Sequence, residues 1–174
     1  MNAYFDTFST PVGEFSVAVD EDGSVIATAF GPERALRARL KSFDGTLARE
    51  TKRLAAARTQ VLGYFSSRRS GFSLALAPAG TAFQQRVWTA LQEIPFGETR
   101  SYGALAKKLK SAARAVGRAN ATNPICLIVP CHRVIGADGS LTGFAFGENI
   151  KLRLLAHEGA LPTTKVTRPP LTEE

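Results

Sequence analysis

The hydrophobic period of this chain changes at Ala77-Pro78-Ala79-Gly80. Before that point Phe15, Val17 and Val19 alternate with Ser16 and Ala18, and Val25 to Phe30 answers them across the Asp20-Glu21-Asp22-Gly23 turn. Period-two alternation with turn residues between predicts a hairpin. After Gly80 the period becomes helical: Phe83, Val87, Leu91 and Ile94 share one face. A chain that opens as strands and closes as helices is constrained to a two-part α/β organisation.

Within the first part, Tyr4 to Phe8 predicts another strand. Pro32 opens a helix through Leu36, Leu40 and Phe43 that ends at Gly45. A second helix is expected from Lys52 to Phe65, and Phe72 to Leu76 alternates as a last short strand. This part has no histidine, cysteine or glycine-rich phosphate loop, so a scaffolding role is expected.

In the second part Thr81 and Gln84 form a capping-box pattern. Ser101 can cap a helix from Tyr102 to Leu109, and Ser111 another from Ala112 to Ala121, together a helix-turn-helix pattern. The second of these is built largely of small residues and carries Arg114 and Arg118 four apart, which suits close approach to a groove. Charge points the same way. Between Thr99 and Ala137 there are seven cations and no Asp or Glu, while the rest of the chain balances fifteen against fifteen, so the net charge of +7 resides in this window. A one-sign block favours a polyanion, nucleic acid first.

The window runs into Ile125 to Val129, expected as a buried strand, and then Pro130-Cys131-His132-Arg133. Proline ends ladder pairing just before Cys131. His132 is a base of suitable pKa, and Arg133 with the basic window favours a thiolate. Neighbours on a strand point to opposite faces, so a bridging water or a local kink is expected between Cys131 and His132. Glu158, on a final helix from Ile150 to Glu158, is the candidate to orient His132. Cys126, Cys131, His132 and His157 have the inventory but not the spacing of a zinc site. The local signature of papain-like hydrolases and the glycine-rich loop of S-adenosylmethionine enzymes are both missing. No apolar run approaches the roughly 20 residues of a membrane span. The N-terminus lacks signal-peptide character, and two cysteines too far apart in sequence for a disulfide along an extended segment suit a cytoplasmic protein.

Pro130-Cys131-His132-Arg133-Val134 resembles the active-site motif of O6-alkylguanine-DNA alkyltransferases. The similarity runs from Gly80 to Gly159 through Ala82-Phe83-Gln84, Val87-Trp88, Ile94-Pro95-Phe96-Gly97-Glu98-Thr99 and Ser101-Tyr102. It continues in Ala113-Arg114-Ala115-Val116-Gly117, Asn123-Pro124, Thr142-Gly143-Phe144 and Leu154-Leu155-Ala156-His157-Glu158-Gly159. The resemblance implies an α/β fold: a small N-terminal β-sheet domain with helices (1–79), ribonuclease H-like, and a mainly helical DNA-binding and alkyltransferase domain (80–160). A disordered tail (161–174) is expected after them.

It further implies a single-use transfer of an alkyl group from guanine O6, with O4-alkylthymine an open second substrate, to Cys131. His132 would take the thiol proton, Glu158 would orient His132, Tyr102 would protonate the leaving guanine, and Asn123 would organise the turn. Tyr102, Arg114, Ala115, Gly117 and Arg118 would meet DNA, with Arg114 filling the stack behind a flipped base. Pro130, Val134, Phe144 and Ala145 would line the base pocket. Ala145 replaces a serine of some members, and Phe146 a common glycine, which narrows the pocket for large alkyl groups. No cofactor and no metal are implied. The expected partner is double-stranded DNA carrying O6-alkylguanine, bound by a monomer, with cooperativity left open. The alternative is a lesion-binding sensor that does no chemistry.

Overall fold

The computed structural model describes residues 1–141 and 143–161. The chain divides into two compact units: Met1–Ala79 together with Pro124–Ile128, and Gly80–Asn123 together with the described residues from Val129 onward. The five-residue excursion 124–128 falls on the far side of a division placed at residue 80. The tail expected from 161 lies, beyond its first residue, outside the described residues.

The first unit is built on a four-stranded sheet in the order β3-β2-β1-β4. Strands β1 (Asn2–Thr10), β2 (Gly13–Val19) and β3 (Val25–Phe30) form an antiparallel meander, and β4 (Thr46–Arg49) adds parallel to β1. The turns follow from their residues. Thr10 Oγ1 donates to the Gly13 carbonyl at 2.7 Å, and Gly13 takes φ 107°. Asp20 Oδ1 accepts from the Asp22 and Ser24 amides at 2.9 and 3.0 Å, an Asx turn that reverses the chain. Five consecutive residues of β2 are buried, and Phe15 meets the Phe30 ring edge-on at 4.9 Å between centroids.

Two expectations for this unit are corrected. The first helix, α1, spans only Glu33–Ala38. Beyond it the chain winds in three-residue turns at Leu40 and Phe43, because it must return to the edge of β1, where the Thr46 amide bonds to the Met1 carbonyl at 3.0 Å. Phe72 to Leu76 is not a strand: only Leu76 makes a bridge, to Val25. The outer edge of β3 is shared, since Thr28 bridges to Ile125 three residues further along. The second predicted helix forms as a 3₁₀ turn (Thr51–Leu54) running into α2 (Ala55–Phe65).

Ile125 to Val129 is likewise not a strand. Leu127 sits at φ 73°, and the Ile128 amide turns back on the Cys126 carbonyl at 2.9 Å. The segment is pinned from β3 by Thr28, whose amide bonds to the Pro124 carbonyl at 2.8 Å and whose hydroxyl donates to the Cys126 carbonyl at 2.7 Å. One backbone and one side-chain bond from Thr28 outweigh the β-propensity of Ile-Cys-Leu-Ile-Val, which local pattern alone reads as extended.

The second unit is helical: α3 (Ala82–Gln92), α4 (Tyr102–Leu109), α5 (Ala113–Ala121) and α6 (Glu148–His157), with a two-stranded parallel pair of β5 (Arg100–Ser101) and β6 (Val134–Ile135). The capping box at Thr81 is present in both directions: Thr81 Oγ1 accepts from the Gln84 amide at 3.1 Å, and Gln84 Oε1 from the Thr81 amide at 2.8 Å. Ser101 Oγ caps α4 by accepting from the Ala104 amide at 3.0 Å. Ser111 does not cap α5; its N-cap is Ala112, with no side-chain bond. The turn between α4 and α5 passes through Lys110 at φ 55°, and Trp88 Nε1 donates to the Ala119 carbonyl at 2.8 Å, tying α5 to α3. The helix-turn-helix is thereby fixed to the core through its small-residue helix.

Candidate active site

Cys131 lies in a short 3₁₀ turn, Cys131–Arg133, and not at the end of a strand. Pro130, at φ −78° and ψ 66°, delivers the chain into that turn, and the Cys131 amide bonds to the Val129 carbonyl at 2.7 Å. Two asparagines brace it from outside. Asn123 Nδ2 donates to the Val129 carbonyl at 2.9 Å, and Asn120 Nδ2 to the Cys131 carbonyl at 3.3 Å. Both are buried. Asn123, which the resemblance implies as the organiser of the turn, makes the shorter of these two bonds. Asn120 was missed, although it falls four residues after Val116 and so shares the inward face of α5.

Cys131 is 5% exposed and His132 is fully buried. His132 Nε2 lies 2.8 Å from Glu158 Oε2, which places the expected base and its expected orienter together. The same carboxylate receives Arg133 bidentately, Nε on Oε1 at 2.8 Å and Nη2 on Oε2 at 3.0 Å. The third arm of the fork, Arg133 Nη1, donates to the Ile94 carbonyl at 2.7 Å, and the guanidinium stands 5.8 Å from the centre of the Phe96 ring. Arg133, expected as a cation favouring the thiolate, is instead committed to Glu158. Burial by itself would raise the Glu158 carboxyl; its partners His132 and Arg133 overcome it and hold that carboxyl well below the usual range. An ionised Glu158 accepts from Nε2–H, so the His132 proton belongs on Nε2 and Nδ1 keeps its lone pair. Nδ1 is buried and has no hydrogen-bond partner in the protein among the described residues.

Tyr102 opens α4 and is half-buried. It is packed between two glycines: a Cβ at Gly143 would stand 2.6 Å from its hydroxyl, and one at Gly117 would stand 3.9 Å from its ring. Burial raises the phenol above its ordinary value, the Asn120 side chain offsets part of the rise, and Cys131 adds to it. The phenol therefore keeps its proton at neutral pH and can donate it. Lys151 of α6 reaches the same place: it is fully buried, its Nζ donates to the Val134 carbonyl at 2.6 Å, and it lies 6.0 Å from the centre of the Tyr102 ring. Sequence reading passed over Lys151. Its signal was a lysine three and four residues before Leu154 and Leu155, on the apolar side of α6.

Pro130 and Val134 are buried within or beside the turn, and Phe144 is buried against Phe146, ring centres 5.8 Å apart in an edge-on arrangement. Ala145 is exposed. Thr142 lies outside the described residues. On α5, Arg114 and Arg118 are exposed and Ala115 and Gly117 half-buried, so a row of small and cationic residues faces outward above the buried Val116 and Asn120. Among the described residues no three His, Cys, Asp or Glu side chains converge to hold a metal ion, and no helix is long and apolar enough to cross a membrane.

Known proteins resemble this chain in sequence and fold. Residues 82–160 match the profile described as 6-O-methylguanine DNA methyltransferase, DNA binding domain. A methylated-DNA–protein-cysteine methyltransferase of Methanosarcina acetivorans is 44% identical over 159 residues, 90% of this chain and 99% of the relative. The constitutive protein of the same name in Bacillus subtilis is 44% identical over 82% of this chain and 86% of its own. The crystal structure of Mycobacterium tuberculosis OGT in complex with DNA superposes with a TM-score of 0.76 at 38% identity, covering 93% of this chain and 96% of that one. Because the relatives are matched over nearly their whole length, both units and not the Cys131 turn alone, the chain belongs to the methylated-DNA–protein-cysteine methyltransferase family.

Proposed function

We infer that this chain repairs DNA by direct reversal, moving the alkyl group of O6-alkylguanine onto Cys131 and ending its own working life in the act. The observation that carries the reading is the buried Cys131 turn followed directly by an oriented His132–Glu158 pair. In the reaction His132 Nδ1 takes the Cys131 proton, directly or through one water. The thiolate sulfur attacks the alkyl carbon, an S–C bond forms, and the C–O6 bond breaks with its electron pair passing to guanine. Tyr102 returns a proton to the departing base. The thioether has no hydrolysis route, so one chain removes one lesion.

Asn120 and Asn123 hold the carbonyls that shape the turn. The outward row of α5, with Arg114 as the residue that fills the stack, meets duplex DNA whose target base is turned out, as chemistry on a base requires. Pro130, Val134, Phe144 and Ala145 surround that base, and the Phe144–Phe146 pair limits the size of the alkyl group. Neither Cys126 nor Cys131 forms a disulfide, which suits a reducing compartment such as the cytoplasm. The protein acts as a monomer and needs no cofactor.

Incubating the chain with duplex DNA carrying radiolabelled O6-methylguanine tests the reading. Label should move to protein, one per chain, and Cys131→Ala should abolish the transfer. Lesion binding without transfer by the wild type would leave only the sensor role.

A further inference from the structure

The proposed chemistry uses Cys131, His132, Glu158 and Tyr102, but it leaves one buried charge without a task. Lys151 is among the largest fully buried side chains of the protein. Lysine is almost never fully buried unless its ammonium is compensated, and a methionine would fill similar space without the desolvation cost. The ammonium is directed at the carbonyl of Val134, the residue immediately after the Cys131–Arg133 turn, at 2.6 Å. It also stands near the ring of Tyr102, on a different helix.

We propose that Lys151 is a positioning residue for the transfer: anchored on the Val134 carbonyl, its buried ammonium supplies the positive field in which Cys131 ionises and attacks. This deepens the alkyltransferase reading and rests on it for the reaction, though not for the ionisation itself. The other cation beside the turn, Arg133, is already committed to Glu158 and the Ile94 carbonyl. The charge of Lys151 therefore adds to that of the protonated His132 in balancing the thiolate.

Among the described residues, Cys131 from the turn, Tyr102 from α4 and Glu148 from its own helix act on Lys151. Burial pulls the Lys151 ammonium down to about 8, while Cys131 and Glu148 each hold it up. The coupling is reciprocal: whatever Cys131 does for the lysine, the lysine does for Cys131. Below about pH 8 the ammonium is present and the thiolate is favoured; above it that help fades. Once sulfur carries an alkyl group its negative charge is gone, so Lys151 should lose its proton more readily in the spent protein.

The test needs no DNA, so it stands even if repair activity fails to appear. The full chain is treated with iodoacetamide from pH 5 to 10, and the rate at Cys131 is followed by mass spectrometry. Lys151→Met should move the half-maximal pH of alkylation upward by about one unit or more. A folded Lys151→Met protein with an unchanged profile would overturn the proposal, since a purely structural lysine would alter stability and not the thiol profile. If that variant does not fold, the wild type decides: in ¹⁵N-lysine NMR the Lys151 titration should move to lower pH after Cys131 is carbamidomethylated. An unmoved titration would overturn the proposal equally.

Discussion

His132 Nε2 and Glu158 Oε2 stand 2.8 Å apart with both side chains out of solvent, and Arg133 occupies the rest of the carboxylate. One carboxylate therefore sets the tautomer of the base and neutralises a buried guanidinium. Glu158→Gln should slow single-turnover alkyl transfer by about 10²-fold or more, the usual contribution of a positioned base. It should also cost about 3–5 kcal/mol of stability, because Arg133 is left buried without its counter-charge. Quench-flow transfer assays and urea melts measure the two effects separately. A variant that transfers within twofold of wild type would refute the orienting role.

The same carboxyl predicts an acid limb. Its folded-state pKa lies below that of the unfolded chain, where a glutamate titrates near about 4.3. Its stabilisation is thus complete above that value and is lost as pH falls below it, through the window down to the folded-state pKa. Urea midpoints measured from pH 6 downward should fall in wild type below about pH 4. In Glu158→Gln that part of the slope should disappear, and a persisting slope would assign it to other carboxylates.

Arg133 makes three directed bonds from one plane. Lysine keeps the charge and loses the fork. Arg133→Lys should therefore destabilise the fold by about 3 kcal/mol, read from chemical denaturation. Equal stability would show that charge alone suffices there.

Gly143 lies against the Tyr102 hydroxyl at φ 89°, so Gly143→Ala must push the phenol aside as well as strain its own backbone. A displacement of about 1 Å at a reacting group costs about 10²-fold. Transfer should slow by roughly that factor while affinity for undamaged duplex is kept, which single-turnover kinetics and fluorescence anisotropy distinguish. Unchanged transfer would remove Tyr102 from the proton path.

Arg114 is exposed and makes no hydrogen bond within the protein among the described residues. Arg114→Ala should leave stability within about 0.5 kcal/mol. It should weaken repair of duplex lesions by about tenfold or more, a modest share of the few kcal/mol that turning out a base requires. Reaction with the free base should be spared. Equal loss on duplex and free base would exclude a stack-filling role.

Much of this was legible in the sequence because it rested on local pattern. Alternation gave the β1–β3 meander, and Thr81 with Gln84 gave the start of α3. The order Pro-Cys-His-Arg, with Glu158 downstream, marked the candidate site whose His132 and Glu158 the fold brings together. What escaped depended on distant partners. Strand β4 is short, mostly exposed and without alternation, and it exists because β1 offers an edge. The bend at Leu127 answers to Thr28. Lys151 and Asn120 look like ordinary polar residues of a helix until Val134 and Cys131 supply their acceptors, and nothing local in the sequence brings those atoms together.

The threonine on β3 also bears on how the protein comes into being. Its hydroxyl bonds to a carbonyl 98 residues further along, in a segment that ends three residues before Cys131. On the ribosome, β3 emerges long before that carbonyl exists, so the first unit cannot be finished until α3, α4 and α5 have all been made. A gene cut at residue 79 yields an amino-terminal fragment with an unanswered buried hydroxyl and a carboxy-terminal fragment whose 124–128 segment has nothing to hold it. The two units are therefore poor candidates for separate inheritance: completing the older part of the chain and threading the nucleophile into its turn are the same late event.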